Sequence, residues 1–140
     1  DFRLFLLGDG ENFGEIKKII NQNNLQNNII MTGNVTNVYD YMSFMDVFVM
    51  PSLYEGLPLT VIEAQASGVN CILSNNISKE SDLQLGIVKF LSLDNIEDWI
   101  NQILKMGKIE RLDKQTIINK IKDLKFDIQS VIKELEKLYN

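Results

Sequence analysis

The sequence predicts an α/β protein with a doubly wound, Rossmann-like parallel sheet and a helical C-terminus. Up to residue 91, short apolar runs that end in glycine, proline or polar turns alternate with stretches of helical spacing. Beyond residue 91, the apolar side chains follow helical spacing alone. Strands that alternate with helices form βαβ crossovers, which place parallel strands side by side. We interpret residues 1–140 as a single domain.

Three strands and three helices are predicted in the first half of the chain. The apolar runs of the strands are Phe2–Leu7, Asn28–Gly33 and Asp46–Ser52. The helices are expected from about Asn12 to Asn21, from Val38 to Phe44, and from Pro58 to near Gly68. The third strand is continuously apolar, as in a strand that is buried on both faces. Pro58 suits the first turn of its helix, where no backbone N–H is required.

The second half adds two strands, at Asn70–Ser74 and Gly86–Leu91, and then three helices. Asp94 can cap a helix from Asn95 to Met106, with Gly107 at its end. Asp113 and Asp127 can cap the last two helices, of which the final one runs to Tyr139. The apolar residues of that final helix recur at amphipathic spacing, and part of this stripe is expected to be exposed.

Composition excludes several classes of function. No apolar run approaches the roughly 20 residues of a membrane span. The net charge is −5 and only two of the 14 basic residues are arginine, which argues against a nucleic-acid partner. The chain has no histidine and one cysteine, Cys71, so a structural zinc site is excluded and a reducing cytoplasm is favoured. The chain also lacks an initiator methionine and enters a strand at once, so we expect a piece of a longer protein.

Two glutamates stand in the stretch YEGLPLTVIEAQASG, residues 54–68. A carboxylate costs free energy to desolvate unless it is paired, so both need a reason. Ligands of doubly wound sheets bind beyond the carboxyl ends of the strands, where Glu55 is expected. Gly56 would let the backbone approach a ligand. The free backbone N–H groups of Leu59, Thr60 and Val61 would then bind a phosphate, together with the helix dipole.

Glu63 is expected about one turn inside this helix, near its positive end. A carboxylate there can accept hydrogen bonds from two vicinal hydroxyls, such as those of a ribose. Glu55, on the loop, would reach a different part of the same ligand. The two glutamates, with helix amides between them, therefore predict a site for a nucleotide-sugar.

The segment EGLPLTVIEA resembles the E-x7-E signature of the retaining GT-B glycosyltransferases, in particular family 4. LLGDG, MTGNV and the longer DVFVMPSLYEGLPLTVIEAQASG resemble that family's second-strand turn, third-strand segment and core motif. CILSNNISKE and KFLSL resemble bacterial capsule and exopolysaccharide transferases. The resemblance implies that the chain is most of the C-terminal, donor-binding half of a GT-B fold. The N-terminal acceptor domain and the first strand–helix unit would be absent.

The resemblance also implies roles for individual residues. Glu55 would be the catalytic residue at the transferred sugar, and Glu63 would bind the ribose. The donor's sugar hydroxyls and distal phosphate would contact the backbone of Gly56, Leu57, Pro58, Leu59 and Thr60. Asn34 and Val35 would border the base, and Gly8 and Asp9 would line the diphosphate cleft. No metal or other cofactor is expected, since basic side chains and helix amides carry the phosphate charge.

Three departures from the family pattern stand out. The Arg and Lys that grip the diphosphate precede the first strand of this chain and are absent, so we expect the chain alone to be inactive. Asn70 stands where many members have Pro, which is a mild change. Asn75 stands where many have Asp, which puts one loop contact in doubt.

The expected function of the full-length protein is retaining transfer of a hexose from a nucleotide-diphosphate-sugar, preferably UDP-linked. Its acceptor would be a glycan or a lipid-linked sugar held by the missing domain, in the cytoplasm or at the inner membrane face. Two alternatives stay open. One is a nucleotide-sugar epimerase, although the histidine and extra acidic residues of those enzymes are not found here. The other is a non-catalytic, doubly wound interaction module. An open sheet edge would also favour self-association of the chain.

Overall fold

The structure is a computed structural model, and it describes residues 2–139. The contacts of the chain divide it into two compact units, residues 1–41 and residues 42–140. Each unit is described by itself. Parallel strands and helices make up both, so the predicted α/β class is confirmed, as is the helical C-terminus.

The first unit holds a two-stranded parallel sheet. Its elements are β1 (Leu4–Leu7), α1 (Phe13–Gln22), β2 (Ile29–Gly33) and the start of α2 (Val38–Phe44). Leu4 of β1 lies opposite Ile29 of β2, and the register shifts after Leu6. The rings of Phe5 and Tyr41 meet edge to face at 5.8 Å, so the start of α2 packs against β1.

The second unit holds a three-stranded parallel sheet in the order β3–β4–β5. Its elements are β3 (Val47–Met50), α3 (Leu59–Ala66), β4 (Asn70–Ser74), β5 (Val88–Leu91), α4 (Ile96–Met106), α5 (Lys114–Asp123) and α6 (Ile128–Tyr139), with a 3₁₀ turn at Lys79–Ser81 between β4 and β5. All five residues of the central strand β4 are buried. β4 is therefore the centre of this unit's core.

The core joins the sheet to α4. Ile72 of β4 packs with Trp99 and Met106 of α4, and the indole N–H of Trp99 donates to the Ser92 carbonyl at 2.7 Å. Asn70, which is buried, donates from its side-chain amide to the Met106 carbonyl at 3.3 Å. Asn70, at the position where many members of the resembled family have Pro, thus ties the start of β4 to the end of α4.

Several expectations need correction. The strands pair as two sheets, whereas the strand order predicted one. β3 was expected to be buried on both faces, but it is half-buried along its whole length because it lies at the edge of its sheet. The fully buried strand is the central one, β4. Asn95, not Asp94, caps α4, and its side-chain oxygen accepts from the Asp98 amide. The caps at Asp113 and Asp127 are confirmed.

The apolar stripe of α6 is exposed, as expected, with Leu138 at 79% and Ile128 at 68% exposure. None of the helices within residues 2–139 combines the length and the apolar character needed to cross a membrane. The interpretation as a single domain stays a prediction, and so does self-association.

Candidate functional site

The candidate residues of the first unit lie together at the carboxyl ends of its two strands. Gly8 follows β1 and pairs with Gly33, the last residue of β2, through a hydrogen bond from Gly8 N to Gly33 O of 2.9 Å. Both glycines have positive φ, +125° and +66°, which a side chain would strain. This pairing brings Gly8 and Asp9 to the same sheet edge as Asn34 and Val35. Of the four, Val35 alone is half-buried and the others are exposed.

The loop that carries Glu55 joins β3 to α3 and is attached at two points. Its first attachment is a hydrogen bond from the Ser74 hydroxyl to the Ser52 carbonyl at 2.6 Å. Its second is a parallel bridge between Glu55 and Ile77, in which the Ser78 amide donates to the Glu55 carbonyl at 3.2 Å. The backbone of Glu55 is therefore held against the segment that follows β4, and Glu55 is half-buried.

The start of α3 differs from the expectation in two respects. Pro58 is the N-cap residue, in extended conformation, and the helix begins at Leu59. The Val61 amide, expected to be free, donates to the Pro58 carbonyl at 3.0 Å, because the first turn closes with a tight bond. In the described part of the chain, the amides of Leu59 and Thr60 have no acceptor. Two helix-start donors therefore remain, not three.

The two faces of α3 differ sharply. Val61, Ala64 and Gln65 are buried, whereas Leu59, Thr60 and Glu63 are exposed. Residues three and four positions apart share a helix face, so the Glu63 carboxylate lies on the face of Thr60 and Leu59. Neither the Glu55 nor the Glu63 carboxylate has a hydrogen-bond or ion-pair partner among residues 2–139. Glu63 is exposed and Glu55 is half-buried, so both carboxylates keep contact with water and neither needs a partner within the protein.

Gln65 fixes the buried face of α3. Its side-chain nitrogen donates to the carbonyls of Val61 at 3.1 Å and Ser81 at 2.6 Å. Its side-chain oxygen accepts from the Leu83 amide at 2.9 Å. The helix that carries Glu63 is thus anchored to the segment after β4, as the Glu55 loop is.

A lysine side chain, that of Lys79, lies on the same segment after β4. The ammonium of Lys79 is 3.3 Å from the centre of the Phe90 ring and 3.4 Å from the side-chain oxygen of Asn75. Desolvation lowers the pKa of Lys79, and the nearby charge of Asp82 partly offsets this. Asn75, at the position where many members of the resembled family have Asp, therefore serves as a neutral acceptor for this lysine.

Sequence reasoning missed Ser74 and Gln65. Both are fully buried, and both hold the segments that carry the two glutamates. A serine that ends a strand and a glutamine inside a helix give no local signal of such a role. The two sets of candidate residues fall in different units, Gly8, Asp9, Asn34 and Val35 in the first and residues 55–63 in the second.

Residues 1–123 match the family model described as glycosyl transferases group 1. The chain belongs to this family. The match includes the candidate residues of both units, so the resemblance deduced from the E-x7-E segment is confirmed at the level of the family.

Two relatives from bacteria are similar over nearly the whole chain. A putative glycosyltransferase, EpsF, from Bacillus subtilis (strain 168) is 39% identical over 99% of this chain. The UDP-Gal:alpha-D-GlcNAc-diphosphoundecaprenol alpha-1,3-galactosyltransferase of Escherichia coli is 30% identical over 96% of it. The chain covers 36% and 35% of these relatives, so this group 1 domain spans about a third of their length.

Solved structures of transferases share the fold. The lipopolysaccharide outer core galactosyltransferase WaaB superposes with a TM-score of 0.70 at 19% identity, over 87% of this chain and 36% of that one. The pneumococcal O-GlcNAc transferase GtfA, solved in complex with UDP and GlcNAc, gives 0.69 at 20% identity, over 97% and 28%. At these identities, the likeness shows the GT-B type fold alone.

Proposed function

We propose that the full-length protein is a retaining glycosyltransferase that moves a hexose from a UDP-sugar to a polysaccharide or lipid-linked acceptor. The observation that carries the proposal is the pair of unpartnered carboxylates at Glu55 and Glu63, which flank two open helix-start amides in the sequence. Two similar proteins support a uridine-linked donor. The Escherichia coli relative is named for UDP-Gal, and the GtfA structure holds UDP.

Binding of the donor would use backbone amides and a carboxylate in the first turns of α3. The Leu59 and Thr60 amides, at the positive end of α3, would hold the distal phosphate. The Glu63 carboxylate would accept hydrogen bonds from the two ribose hydroxyls. In the first unit, by the family resemblance, Gly8 and Asp9 would contact the diphosphate, and Asn34 and Val35 would contact the base.

Catalysis would place the acceptor hydroxyl on the face from which the nucleotide leaves, which retains the configuration. The bond from the sugar to the acceptor oxygen would form as the bond to the diphosphate breaks, and the departing diphosphate would take up the hydroxyl proton. Positive charge then develops at the ring of the transferred sugar. The Glu55 carboxylate would orient this sugar and stabilise that charge without forming a bond to it. The amides of Leu59 and Thr60 would stabilise the departing diphosphate. Cytoplasmic location and contact with the inner membrane face belong to the same proposal.

Calorimetric titration of the full-length protein with UDP, UDP-GlcNAc and GDP tests donor binding. We expect uridine-selective binding that Glu63→Ala weakens at least about tenfold, since a charge-assisted hydrogen bond contributes roughly 1.5–3 kcal/mol. Glu97→Ala removes an exposed glutamate from the first turn of α4 and is the matched control. No binding of any nucleotide by the full-length protein would overturn the proposal.

Transfer kinetics test the role of Glu55. We expect Glu55→Gln to lower kcat by about 10²-fold or more, because transition-state charge loses its stabilisation, while donor affinity changes little. Glu110→Gln, at an exposed loop position, is the control. The anomeric configuration of the product, read by NMR, decides between retention and inversion.

A further inference from the structure

Ser74 is a junction between the two loops at the carboxyl edge of the second unit. Its hydroxyl is fully buried, donates to the Ser52 carbonyl at 2.6 Å and accepts from the Asn76 amide at 3.1 Å. Its own carbonyl accepts from the Ile77 amide at 3.1 Å. One residue thus connects the loop after β3 with the turn after β4.

That turn reaches back to the catalytic candidate. Ile77 is 2% exposed and pairs with Glu55, and the Ser78 amide donates to the Glu55 carbonyl. The path from Ser74 to Glu55 therefore runs through two consecutive residues of the turn. It involves no contact between Ser74 and the Glu55 side chain.

The loop has little other support between its two attachments. Leu53 and Tyr54, which lie between Ser52 and Glu55, are 81% and 82% exposed. Side chains so exposed contribute little packing that could hold the loop in place. The position of Glu55 consequently depends on the hydrogen bonds at Ser52 and at Glu55 itself.

We infer that Ser74 is a positioning residue for sugar transfer, whose buried hydroxyl holds the Glu55 loop against the turn after β4. The inference rests on the proposed role of Glu55. A displacement of about 1 Å from the productive geometry can cost up to about 10²-fold in rate, so loosening this junction lowers turnover. Donor binding through Glu63 and the α3 amides depends on a different anchor, Gln65, and is spared.

Two Ser74 variants, whose new side chains have the same shape, test this inference in the full-length protein. Ser74→Thr keeps the hydroxyl, and Ser74→Val replaces it with a methyl group of similar size. We expect kcat of Ser74→Val to fall about tenfold below that of Ser74→Thr, with donor KM within about threefold. Ser74→Ala against the wild type repeats the comparison should Ser74→Val fail to fold.

Hydrogen exchange of the Ser78 amide provides a second measurement. The Ser78 amide is not touched by the substitution, and its acceptor is the Glu55 carbonyl. We expect this amide to exchange about tenfold faster in Ser74→Val than in Ser74→Thr, because the loop opens more often. A fall in kcat together with faster exchange supports the inference.

Equal exchange of the Ser78 amide in the two variants overturns it, and so does equal kcat. A loss that appears in donor KM with kcat unchanged also overturns it, since Ser74 would then act on binding. The proposed role of Glu55 fails on a separate result, which is unchanged transfer by Glu55→Gln, and the proposed function fails if the full-length protein binds no nucleotide. The three failures are read in different experiments.

Discussion

The side-chain nitrogen of Gln65 lies 2.6 Å from the carbonyl oxygen of Ser81, in a part of the second unit that water does not reach. With its bonds to Val61 and Leu83, this one amide joins α3 to the segment after β4. The helix that carries Glu63 is therefore anchored by a polar group, not by apolar packing alone.

Gln65→Met keeps the volume of the side chain and removes all three hydrogen bonds. We expect a loss of about 2–4 kcal/mol in the free energy of unfolding, because the Ser81 carbonyl and the Leu83 amide are left buried without a partner. Urea unfolding followed through Trp99, the only tryptophan of the chain, measures it. Gln115→Met, on the exposed face of α5, is the control, and an equal shift for both variants would contradict the prediction.

Arg111 joins three carbonyl groups from separate parts of the second unit. Its guanidinium donates to the carbonyls of Met42 at 2.8 Å, Met45, and Ser67 at 3.4 Å. Arg111→Lys keeps the charge but not the planar set of donors, so we expect a loss of about 1–2 kcal/mol. Arg3→Lys, at an exposed position, is the control in the same urea experiment, with a change expected within about 0.5 kcal/mol.

Burial raises the pKa of Cys71 to about 12, and the charge of Asp82 adds to the effect. The thiolate is the reactive form, so we expect alkylation by iodoacetamide at pH 8 to be at least about 100-fold slower in the folded protein than in urea. Gln129→Cys adds a thiol at an exposed position of α6, where labelling should be fast without urea. Rapid native labelling of Cys71 would show that β4 opens readily.

Asp113 should make α5 sensitive to acid. Hydrogen bonds from the Thr116 side chain and backbone hold the pKa of the Asp113 carboxyl below its usual 3.8. A lowered pKa means that the stabilisation is complete above pH 3.8 and is lost as the pH falls through the lower value of the folded state. Asp113→Asn caps nearly as well and does not titrate.

We therefore expect the urea midpoint of the wild type to fall more steeply below pH 4 than that of Asp113→Asn. At pH 7, Asp113→Ala should have the lowest midpoint of the three, since its cap is gone. Parallel pH curves for the wild type and Asp113→Asn would show that the cap contributes no acid sensitivity.

Elements with clear local ends were predictable from the sequence. The structure gives α2 and β4 the predicted bounds, Val38–Phe44 and Asn70–Ser74, because turn residues flank both runs. The choice between Asp94 and Asn95 as a cap was not predictable, since both residue types cap equally well and the path of the chain decides. Strand pairing is non-local, so the sequence did not reveal the division into two sheets.

The candidate site was predictable in part. The motif indicated Glu55 on a loop and Glu63 about one turn inside a helix, and the structure has them there. The exposure of the helix face that carries Glu63 was not predicted. The hydrogen bonds of Gln65 and Ser74 span 16 and 22 residues, so no local pattern could reveal them. The bond of the Val61 amide depends on how tightly the first turn closes, which spacing alone does not determine.

The attachment of the Glu55 loop at two points has a consequence for engineering. The turn after β4 cannot gain or lose a residue without moving the backbone of Glu55, because Ile77 pairs with it directly. Leu53 and Tyr54 stand between the attachments and face solvent, so their side chains can be exchanged with little effect on that backbone. A library randomised at these two positions would vary the surface beside the catalytic candidate while keeping its scaffold.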